Sequence, residues 1–366
     1  MWRNTMLKRY RKTWLEINLD NIHHNYMQIM NRCNKHVIPV IKANAYGHGA
    51  VQVADYLVQK GVSYFAVSLL EEAIEIKAKY PSINVLVMGV ISEADLSIVS
   101  DYNITFTLTQ NDLFEAMQRF DGKLKCHIKV DTGMHRLGYT SITDVKNVLH
   151  ESKKHQHINI EGIYTHFATS DSDKSYVDFQ VSKFKKLLDS LNELPPMIHV
   201  SNTSASLKYE KDYSFTTHAR VGIGLFGLSL EKCDYNLKKT FKLVSTIVET
   251  KDLNPGDKLG YGITYTAKEK EKIGILPIGY ADGIIRKNQG GFVSIKNRPY
   301  QIVGRVCMDQ MFVKIPHDIE VGEPVVIMGD DVITVDDVAK QLDTINYEVL
   351  CQITYRVPRL YVNARK

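Results

Sequence analysis

The sequence has little of what a disulfide-rich, membrane-spanning or nucleic-acid-binding protein needs. Its five cysteines are scattered over 366 residues and never form a Cys-x-x-Cys pair, which argues against a disulfide framework and against a zinc site. No apolar run reaches the roughly 18 residues of a membrane helix, and no signal-peptide core follows the N-terminus. The 46 basic and 41 acidic residues nearly balance, which leaves no broad positive surface for nucleic acid. We expect a cytoplasmic protein without a bound metal.

The length and the composition of the chain predict two domains. A single core stops growing at roughly 250–300 residues, and this chain has 366, of which 44% are hydrophobic. Up to residue 240, apolar runs alternate with helical patterns, whereas the later part has short β-rich runs broken by proline and glycine. We therefore predict an α/β domain over residues 1–240 and a mainly β domain over residues 241–366.

Eight apolar runs in the first domain have the length and composition of strands. They lack the period-two alternation of a half-buried sheet, so we expect parallel strands that are buried on both faces. Helical patterns, such as those at 50–58 and 184–191, separate them. Eight such units in roughly 200 residues predict a (β/α)8 TIM-type barrel. The strands are predicted at residues 37–41, 64–68, 84–88, 104–108, 124–130, 158–165, 197–201 and 219–223.

The second domain is predicted to hold mainly strands. A helix should begin at Thr334, because Asp337 three residues later completes a capping box. Another short helix is expected over residues 347–353. An additional strand at residues 14–19 could pair with either domain. The other strands are predicted at residues 243–250, 273–277, 292–295 and 324–328.

Lys42 ends the first barrel strand, directly after the apolar residues 38–41. A buried cation is costly unless it is paired or loses its proton, and a lysine with a lowered pKa is a nucleophilic amine that forms Schiff bases. The alternative is a structural lysine whose ammonium group extends to water.

Further polar side chains follow the later strands, at the carboxyl ends where barrels of this kind hold their active sites. The loops after the last two strands commonly bind phosphate, and here they supply hydroxyl groups and glycines. Residues 222–227 also fit G-x-G-x-x-G, but a dinucleotide fold needs that pattern after its first strand. A lysine amine opposite a phosphate site is what pyridoxal phosphate requires. The side chains concerned are Lys42, Lys129, Asp131, Arg136, His166, His199, Asn202, Thr203, Ser204 and Arg220.

Eight segments, which extend over nearly the whole chain, carry a family resemblance. They are VIKANAYGHG (40–49), KVDTGMHRLG (129–138), THFA (165–168), RVGI (220–223), GYGITY (260–265), GYADG (279–283), GRVCMD (304–309) and YRVPR (355–359). With these segments the chain resembles the alanine racemases, which are pyridoxal-phosphate enzymes of fold type III. The segment at residues 40–49 is similar to the cofactor-lysine motif of that family.

The resemblance implies that Lys42 binds pyridoxal 5'-phosphate covalently and acts as the base on one face of the substrate. Tyr261 would be the base on the other face, since inversion through a planar carbanion needs a proton acceptor on each side. Tyr265 is a rival for this role, but the family motif places the catalytic tyrosine at Tyr261. In the family this tyrosine comes from the partner subunit, which implies a homodimer.

The same resemblance implies roles for the remaining residues. Arg220 would face the pyridine nitrogen and, being only a donor, would keep it unprotonated and weaken the ring as an electron sink. His166 and Arg220 would stabilise the phenolate of Tyr261. Substrate contacts are implied for Arg136 and the Met308 backbone. Cofactor contacts are implied for Tyr46, His166, Asn202, Thr203, Ser204, Arg220, Gly222, Ile223 and Tyr355, and a substrate corridor for Tyr280, Arg286, Arg305 and Asp171.

Two positions differ from the family pattern, and a third matches a lysine that is modified in some relatives. The family usually has Asn-Ser-Ala where this chain has NTSA at 202–205, so the phosphate ligand is either Thr203 or Ser204. His135 stands where a glycine is common. Lys129 matches a lysine that is carbamylated in several relatives, where the resulting anion would orient Arg136.

The implied function is the interconversion of L-alanine and D-alanine, which supplies D-alanine for peptidoglycan. A serine racemase or a broad-specificity racemase shares these motifs. A decarboxylase of the same architecture should have an acidic residue in place of Arg220. A pyridoxal-phosphate carrier built on the barrel alone would leave the second domain without a role.

Overall fold

The computed structural model describes residues 10–209, 212–229 and 235–362. They form two compact units, one of residues 21–238 and the other of residues 10–20 together with residues 239–362. Residues 10–20 thus lie in the second unit, which corrects the prediction that placed them in the barrel domain. Strand β1 (Trp14–Asn18) is the reason, because both of its neighbours in the sheet belong to that unit.

The first unit is a closed barrel. Within the described residues its eight parallel strands are β2 (His36–Pro39), β3 (Tyr64–Val67), β4 (Asn84–Val87), β5 (Thr105–Leu108), β6 (Leu124–Lys129), β7 (Ile158–Tyr164), β8 (Met197–His199) and β9 (His218–Val221). Neighbours follow chain order from β3 to β9, and β9 pairs with β2. A parallel bridge between Val40 and Ala66 closes the ring between β2 and β3. The predicted eight-stranded barrel is confirmed.

Helices connect the barrel strands and bury one face each. In α3 (Ala50–Gln59), for example, Val53, Ala54 and Leu57 are fully buried, as the 3.6-residue period of the sequence predicts. The helix expected at 184–191 is only the end of α8 (Lys174–Asp189), which begins after the capping residue Asp173. The helices are α1 (Leu19–Cys33), α2 (Lys42–Tyr46, a single turn), α3 (Ala50–Gln59), α4 (Leu70–Lys79), α5 (Leu96–Asp101), α6 (Asn111–Arg119), α7 (Ile142–Ser152), α8 (Lys174–Asp189) and α9 (Thr203–Lys208).

The second unit is built on a mixed sheet. Besides β1, its described strands are β10 (Phe241–Thr246), β11 (Glu249–Leu253), β12 (Lys258–Leu259), β13 (Tyr265–Thr266), β14 (Glu271–Leu276), β15 (Phe292–Ile295), β16 (Arg298–Val303), β17 (Met311–Ile315), β18 (Pro324–Met328) and β19 (Arg359–Val362). Nine of the described strands pair in the order β11-β14-β17-β16-β15-β18-β10-β1-β19, and β12 and β13 form a separate hairpin. The predicted run 243–250 divides into two strands, β10 and β11.

Two helices accompany this sheet, α10 (Val335–Leu342) and α11 (Asn346–Cys351). The first has the predicted capping box, because the Asp337 carboxylate accepts from the Thr334 amide at 2.9 Å and the Thr334 hydroxyl accepts from the Asp337 amide at 3.1 Å. Sequence reasoning thus located the start of α10 correctly.

The first strand, which could have joined either domain, lies inside the sheet of the second unit. β1 pairs antiparallel with β10 and parallel with β19. Its alternate residues Leu15 and Ile17 are buried, so one face of the strand contributes to the core of this unit.

Two further expectations were that the chain has no membrane helix and no disulfide framework. Over the residues described here, none of the helices has the length and apolar character to cross a membrane. In the same residues Cys126 and Cys307 are free thiols, and Cys233 lies outside the described residues.

Candidate active site

Cationic side chains gather at the carboxyl ends of the barrel strands. Lys42, Lys129, Arg136 and Arg220 lie close enough to His166 for each charge to lower its pKa, after burial, well below 6.5. His166 is therefore a neutral imidazole at physiological pH. The barrel mouth carries an excess of positive charge around this ring, as a site for an anionic ligand requires.

The backbone is left-handed directly after Lys42. Residues 43–46 have φ values between 51° and 54°, a conformation that costs an L-residue about 1–2 kcal/mol. The turn is closed by a hydrogen bond of 3.0 Å from the Gly47 amide to the Ala43 carbonyl. Gly47 itself has φ +82°, which glycine adopts readily. Strain of this size in a short segment is typical of functional sites.

Arg220 is buried and held on both terminal nitrogens. Nη1 donates to Nδ1 of His199 at 2.6 Å and to the His199 carbonyl at 3.1 Å. Nη2 donates to the carbonyls of Thr165 and Val200 at 2.8 and 3.2 Å, and to Nδ1 of His166 at 3.2 Å. These contacts fix the plane of the guanidinium group.

Arg220 also fixes the protonation of three histidines, because a guanidinium only donates hydrogen bonds. Since Nδ1 of His199 must accept, its Nε2–H donates to Nδ1 of His127 at 2.8 Å. The Nε2–H of His127 then donates to the Tyr64 hydroxyl at 3.2 Å. Burial lowers the pKa of His127 to about 3, so the chain consists of neutral rings. By the same argument His166 accepts at Nδ1 and carries its proton on Nε2.

Tyr164 forms a platform beneath two of the cations. Its ring centroid is 4.8 Å from Cζ of Arg220 and 5.7 Å from Nζ of Lys129, distances at which the ring face attracts a cation. The ring stacks on His199 at 4.7 Å. Burial, followed by the charges of Arg136 and Arg220, lowers the pKa of Lys129 to about 8. A sizeable fraction of this buried amine is therefore neutral near pH 8.

The loops after β8 and β9 meet in a small polar cradle. The Thr203 hydroxyl accepts from the amides of Gly222 and Gly224 at 3.2 and 3.3 Å. The neighbouring hydroxyl of Ser204 takes no part in these bonds. A Cβ at Gly222 would overlap the Tyr46 hydroxyl, so only glycine lets that hydroxyl reach the loop. The Thr203 hydroxyl thus joins the loops after β8 and β9 at this cradle.

Two other predicted positions have structural contacts. The side-chain oxygen Oδ1 of Asn202 accepts from the Ala205 amide at 3.1 Å and from the Ser170 hydroxyl at 2.8 Å. This side chain therefore caps α9. His135 has φ +52°, which explains why glycine suits the position. The Asp131 carboxylate accepts from the His135 amide at 3.0 Å and stabilises this conformation.

The second unit carries the other predicted residues. A cavity of about 500 Å³ is lined by Tyr261, Tyr280, Arg286, Arg305 and Val306. The side chains of Tyr261, Met308 and Tyr355 are 72%, 52% and 94% exposed.

Tyr265 is poorly suited to serve as a base. Its hydroxyl donates to the Glu271 carboxylate, which also accepts from Lys314 at 3.0 Å. Burial and this carboxylate raise the pKa of Tyr265 to about 12. The hydroxyl therefore keeps its proton and anchors the β12–β13 hairpin that presents Tyr261.

A buried carboxylate joins the loops that carry Tyr280, Met308 and Tyr355. Both oxygens of Asp282, which is fully buried, accept from Nη1 of Arg11 at 2.8 Å. The adjoining loops are tied together by hydrogen bonds from the Ala281 amide to the Met308 carbonyl, from the Thr354 amide to the Asp282 carbonyl, and from Arg356 to Asp309.

Replacing Asp282 with Asn should lower the free energy of unfolding by about 2–4 kcal/mol, because it leaves the half-buried Arg11 without its counter-ion. Urea unfolding followed by circular dichroism measures the change. The matched control is Asp331→Asn, which removes a fully exposed partner of Lys239 and should leave stability unchanged. Equal midpoints for the two variants would contradict the structural role of Asp282.

Sequence reasoning missed several side chains that hold this site. His127 lies in the middle of β6, and a histidine within a buried strand was its only signal. Tyr164 ends β7 and looks like an ordinary core aromatic. Glu72, on α4, accepts from the amide that follows Lys42, and nothing in its sequence context indicates that contact.

Two family models and several known proteins match most of this chain. The family described as alanine racemase, N-terminal domain, matches residues 17–230, and alanine racemase, C-terminal domain, matches residues 240–361. An alanine racemase from Geobacillus stearothermophilus is 40% identical over 371 residues, which cover 98% of this chain and 95% of that protein.

Solved structures give the same result. The alanine racemase from E. faecalis has a TM-score of 0.91 and 34% identity, covering 97% of this chain and 99% of that one. A histidine racemase from Leuconostoc mesenteroides subsp. sake has a TM-score of 0.90 and 27% identity, covering 96% and 98%. Family models over both units and relatives over nearly the full length show that this chain belongs to the alanine racemase family.

Proposed function

We propose that this chain interconverts L-alanine and D-alanine with pyridoxal 5'-phosphate bound to Lys42, using Lys42 and Tyr261 as the two bases. The observation that carries the proposal is the group of four cations, Lys42, Lys129, Arg136 and Arg220, around the neutral His166. A phosphate ester and a substrate carboxylate are the anions that such a site would hold.

The residues of the barrel mouth fit the cofactor. Gly222 leaves room for the Tyr46 hydroxyl beside the loop amides, and Ser204 adds a second hydroxyl, so a phosphate would find donors on several sides. The Thr203 hydroxyl accepts from two loop amides and keeps its own proton to donate to a phosphate oxygen, so Thr203 and Ser204 are both candidate ligands. Ile223 and Tyr355 would complete the phosphate contacts.

Arg220 would face the ring nitrogen of the cofactor with a guanidinium that is already fixed in place. A rigid donor that never loses its proton keeps that nitrogen unprotonated. When bound, the cofactor supplies the electron sink that weakens the Cα–H bond of the amino acid. An acidic residue at this position, which a decarboxylase should have, is absent, and the Arg220 contacts described above support a racemase.

The chain's own residues then handle the protons. Lys42 holds one at Nζ on one face of Cα, and Tyr261 of the partner subunit accepts or returns one at Oη on the other face. His166, protonated only on Nε2, would donate a hydrogen bond to the phenolate of Tyr261 and stabilise it. Arg136 and the Met308 backbone of the partner subunit would bind the substrate carboxylate.

We infer that the active form is a homodimer. Tyr261, Met308 and Tyr355 are largely exposed on the second unit, whereas their implied ligands belong at the barrel mouth. A symmetric dimer would cover these side chains and complete two sites at once. We also propose a cytoplasmic location and a role in supplying D-alanine for peptidoglycan.

Incubation of the purified protein with pyridoxal phosphate and a single enantiomer of alanine tests the proposal. Chiral chromatography should show both enantiomers in equal amounts at equilibrium. Serine and histidine, tested in parallel, define the substrate range, because one structural neighbour is a histidine racemase. Inversion of histidine or serine but not of alanine would overturn the assignment of substrate, and no inversion of any of them would overturn the function.

Carbamylation of Lys129 should depend on pH in a defined direction. The reaction with CO₂ uses the neutral amine, and with a pKa of about 8 about a tenth of it is neutral at pH 7 and about half at pH 8. At fixed bicarbonate the occupancy should therefore rise from pH 6.5 to 8 and then level off. ¹³C NMR with labelled bicarbonate measures it. A signal that persists in Lys129→Ala but disappears in the neighbouring Lys125→Ala would contradict the assignment.

A further inference from the structure

Glu72 connects the loop that follows Lys42 to the N-terminal end of helix α4. One carboxylate oxygen accepts from the Ala43 amide at 2.6 Å. The other accepts from the amides of Ser68 and Leu69 at 2.9 and 3.0 Å. A single side chain on α4 thus binds backbone N–H groups from the loops after β2 and after β3.

Only half of this arrangement is explained by helix capping. Glu72 is the third residue of α4, where a carboxylate commonly reaches back to the amide of the N-cap, here Leu69. The oxygen that accepts from Ser68 and Leu69 fulfils that role. The bond to Ala43 reaches a segment 29 residues earlier in the chain and contributes nothing to the cap.

The Ala43 amide begins the left-handed turn, and this peptide joins it directly to Lys42. The turn is strained, so its direction depends on the contacts that hold it. A shift at this peptide would swing the Lys42 side chain relative to the barrel rim. Displacement of a reacting group by about 1 Å can lower a rate about 100-fold.

We propose that Glu72 is a positioning residue for Lys42, and that its bond to the Ala43 amide sets the direction in which the Lys42 amine points. The inference rests on the proposed role of Lys42. Glu72 touches neither substrate nor cofactor in this assignment and acts through the turn.

Two substitutions separate positioning from capping. In α10 an aspartate at the same helical position, Asp337, reaches the amide of its N-cap residue at 2.9 Å. Glu72→Asp should therefore keep the cap of α4 but be one methylene too short for Ala43. Glu72→Gln keeps the length but places an NH₂ group against one of the bound amides. The matched controls are Glu71→Asp and Glu71→Gln, because Glu71 is exposed and one residue away.

Both Glu72 variants should lower kcat about tenfold to a hundredfold while KM for alanine stays within about twofold, since Arg136 is untouched. Hydrogen–deuterium exchange of protein without cofactor should be at least about tenfold faster in the peptide spanning residues 38–49. For Glu72→Asp, thermal stability should equal that of the Glu71 control.

Wild-type kcat, unchanged exchange at residues 38–49, or a loss of activity that merely follows a loss of thermal stability would each overturn the proposal. The exchange measurement needs neither cofactor nor substrate. If the wild-type protein failed to racemise alanine, the proposed function would fall, and the exchange result would still decide whether Glu72 braces the turn.

Discussion

Replacing Tyr261 with Phe is expected to slow racemisation about 1000-fold in both directions, within the range that general acid–base groups contribute. The hydroxyl is the only group removed, and each direction of the reaction needs it once. In D₂O the variant should still exchange the α-proton of one enantiomer, the one whose proton faces Lys42, without inverting it. Chiral chromatography with mass spectrometry measures the two processes separately.

Tyr265→Phe is the matched control, since it makes the same change four residues away. Its hydroxyl keeps its proton, with a pKa raised to about 12 by burial and Glu271. We expect its turnover to fall no more than about fivefold, through loosening of the hairpin by loss of one hydrogen bond. A large loss in Tyr265→Phe with near-normal turnover in Tyr261→Phe would reverse the assignment of the second base.

The barrel and most other strands could be predicted from the sequence, because the pattern that marks a strand is local. Each strand is an apolar run that ends at a turn or a polar residue, and the runs at 292–295 and 324–328 in the second unit match β15 and β18 to the residue. The position of β1 was not accessible in this way. Its buried residues Leu15 and Ile17 would suit any sheet with an apolar face, and pairing with β10 and β19 joins segments more than 200 residues apart.

The strand-end residues could be identified from sequence, but their supports could not. Lys42 and Arg220 could be identified because each is a cation beside an apolar run at the end of a predicted strand. The left-handed turn at 43–46 could not be predicted, because alanine and tyrosine give no sign of positive φ and one asparagine does not predict four such residues in a row. The bonds from the Gly222 and Gly224 amides to the Thr203 hydroxyl could not be predicted either, because they join loops about 20 residues apart in the chain.

Lys42→Ala is expected to lower turnover about 10 000-fold or more, because it removes both the covalent anchor of the cofactor and one of the two bases. Borohydride treatment of wild-type protein with pyridoxal phosphate should attach the label to the peptide that contains Lys42. The variant should carry no label there. Lys123→Ala, at an exposed lysine of the same unit, is the control and should behave as wild type. Labelling of a different lysine in the wild-type protein would refute the assignment.

The same variant tests where Tyr261 acts. If each site combines Lys42 of one protomer with Tyr261 of the partner subunit, dimers that contain one Lys42→Ala chain and one Tyr261→Phe chain have one intact site. Random pairing makes half of the dimers mixed, so co-refolding the two inactive variants should restore about a quarter of the wild-type activity. Were both residues to act within one chain, every site would lack a base and no activity would return. Recovery of activity from two inactive proteins therefore requires a site that two protomers share.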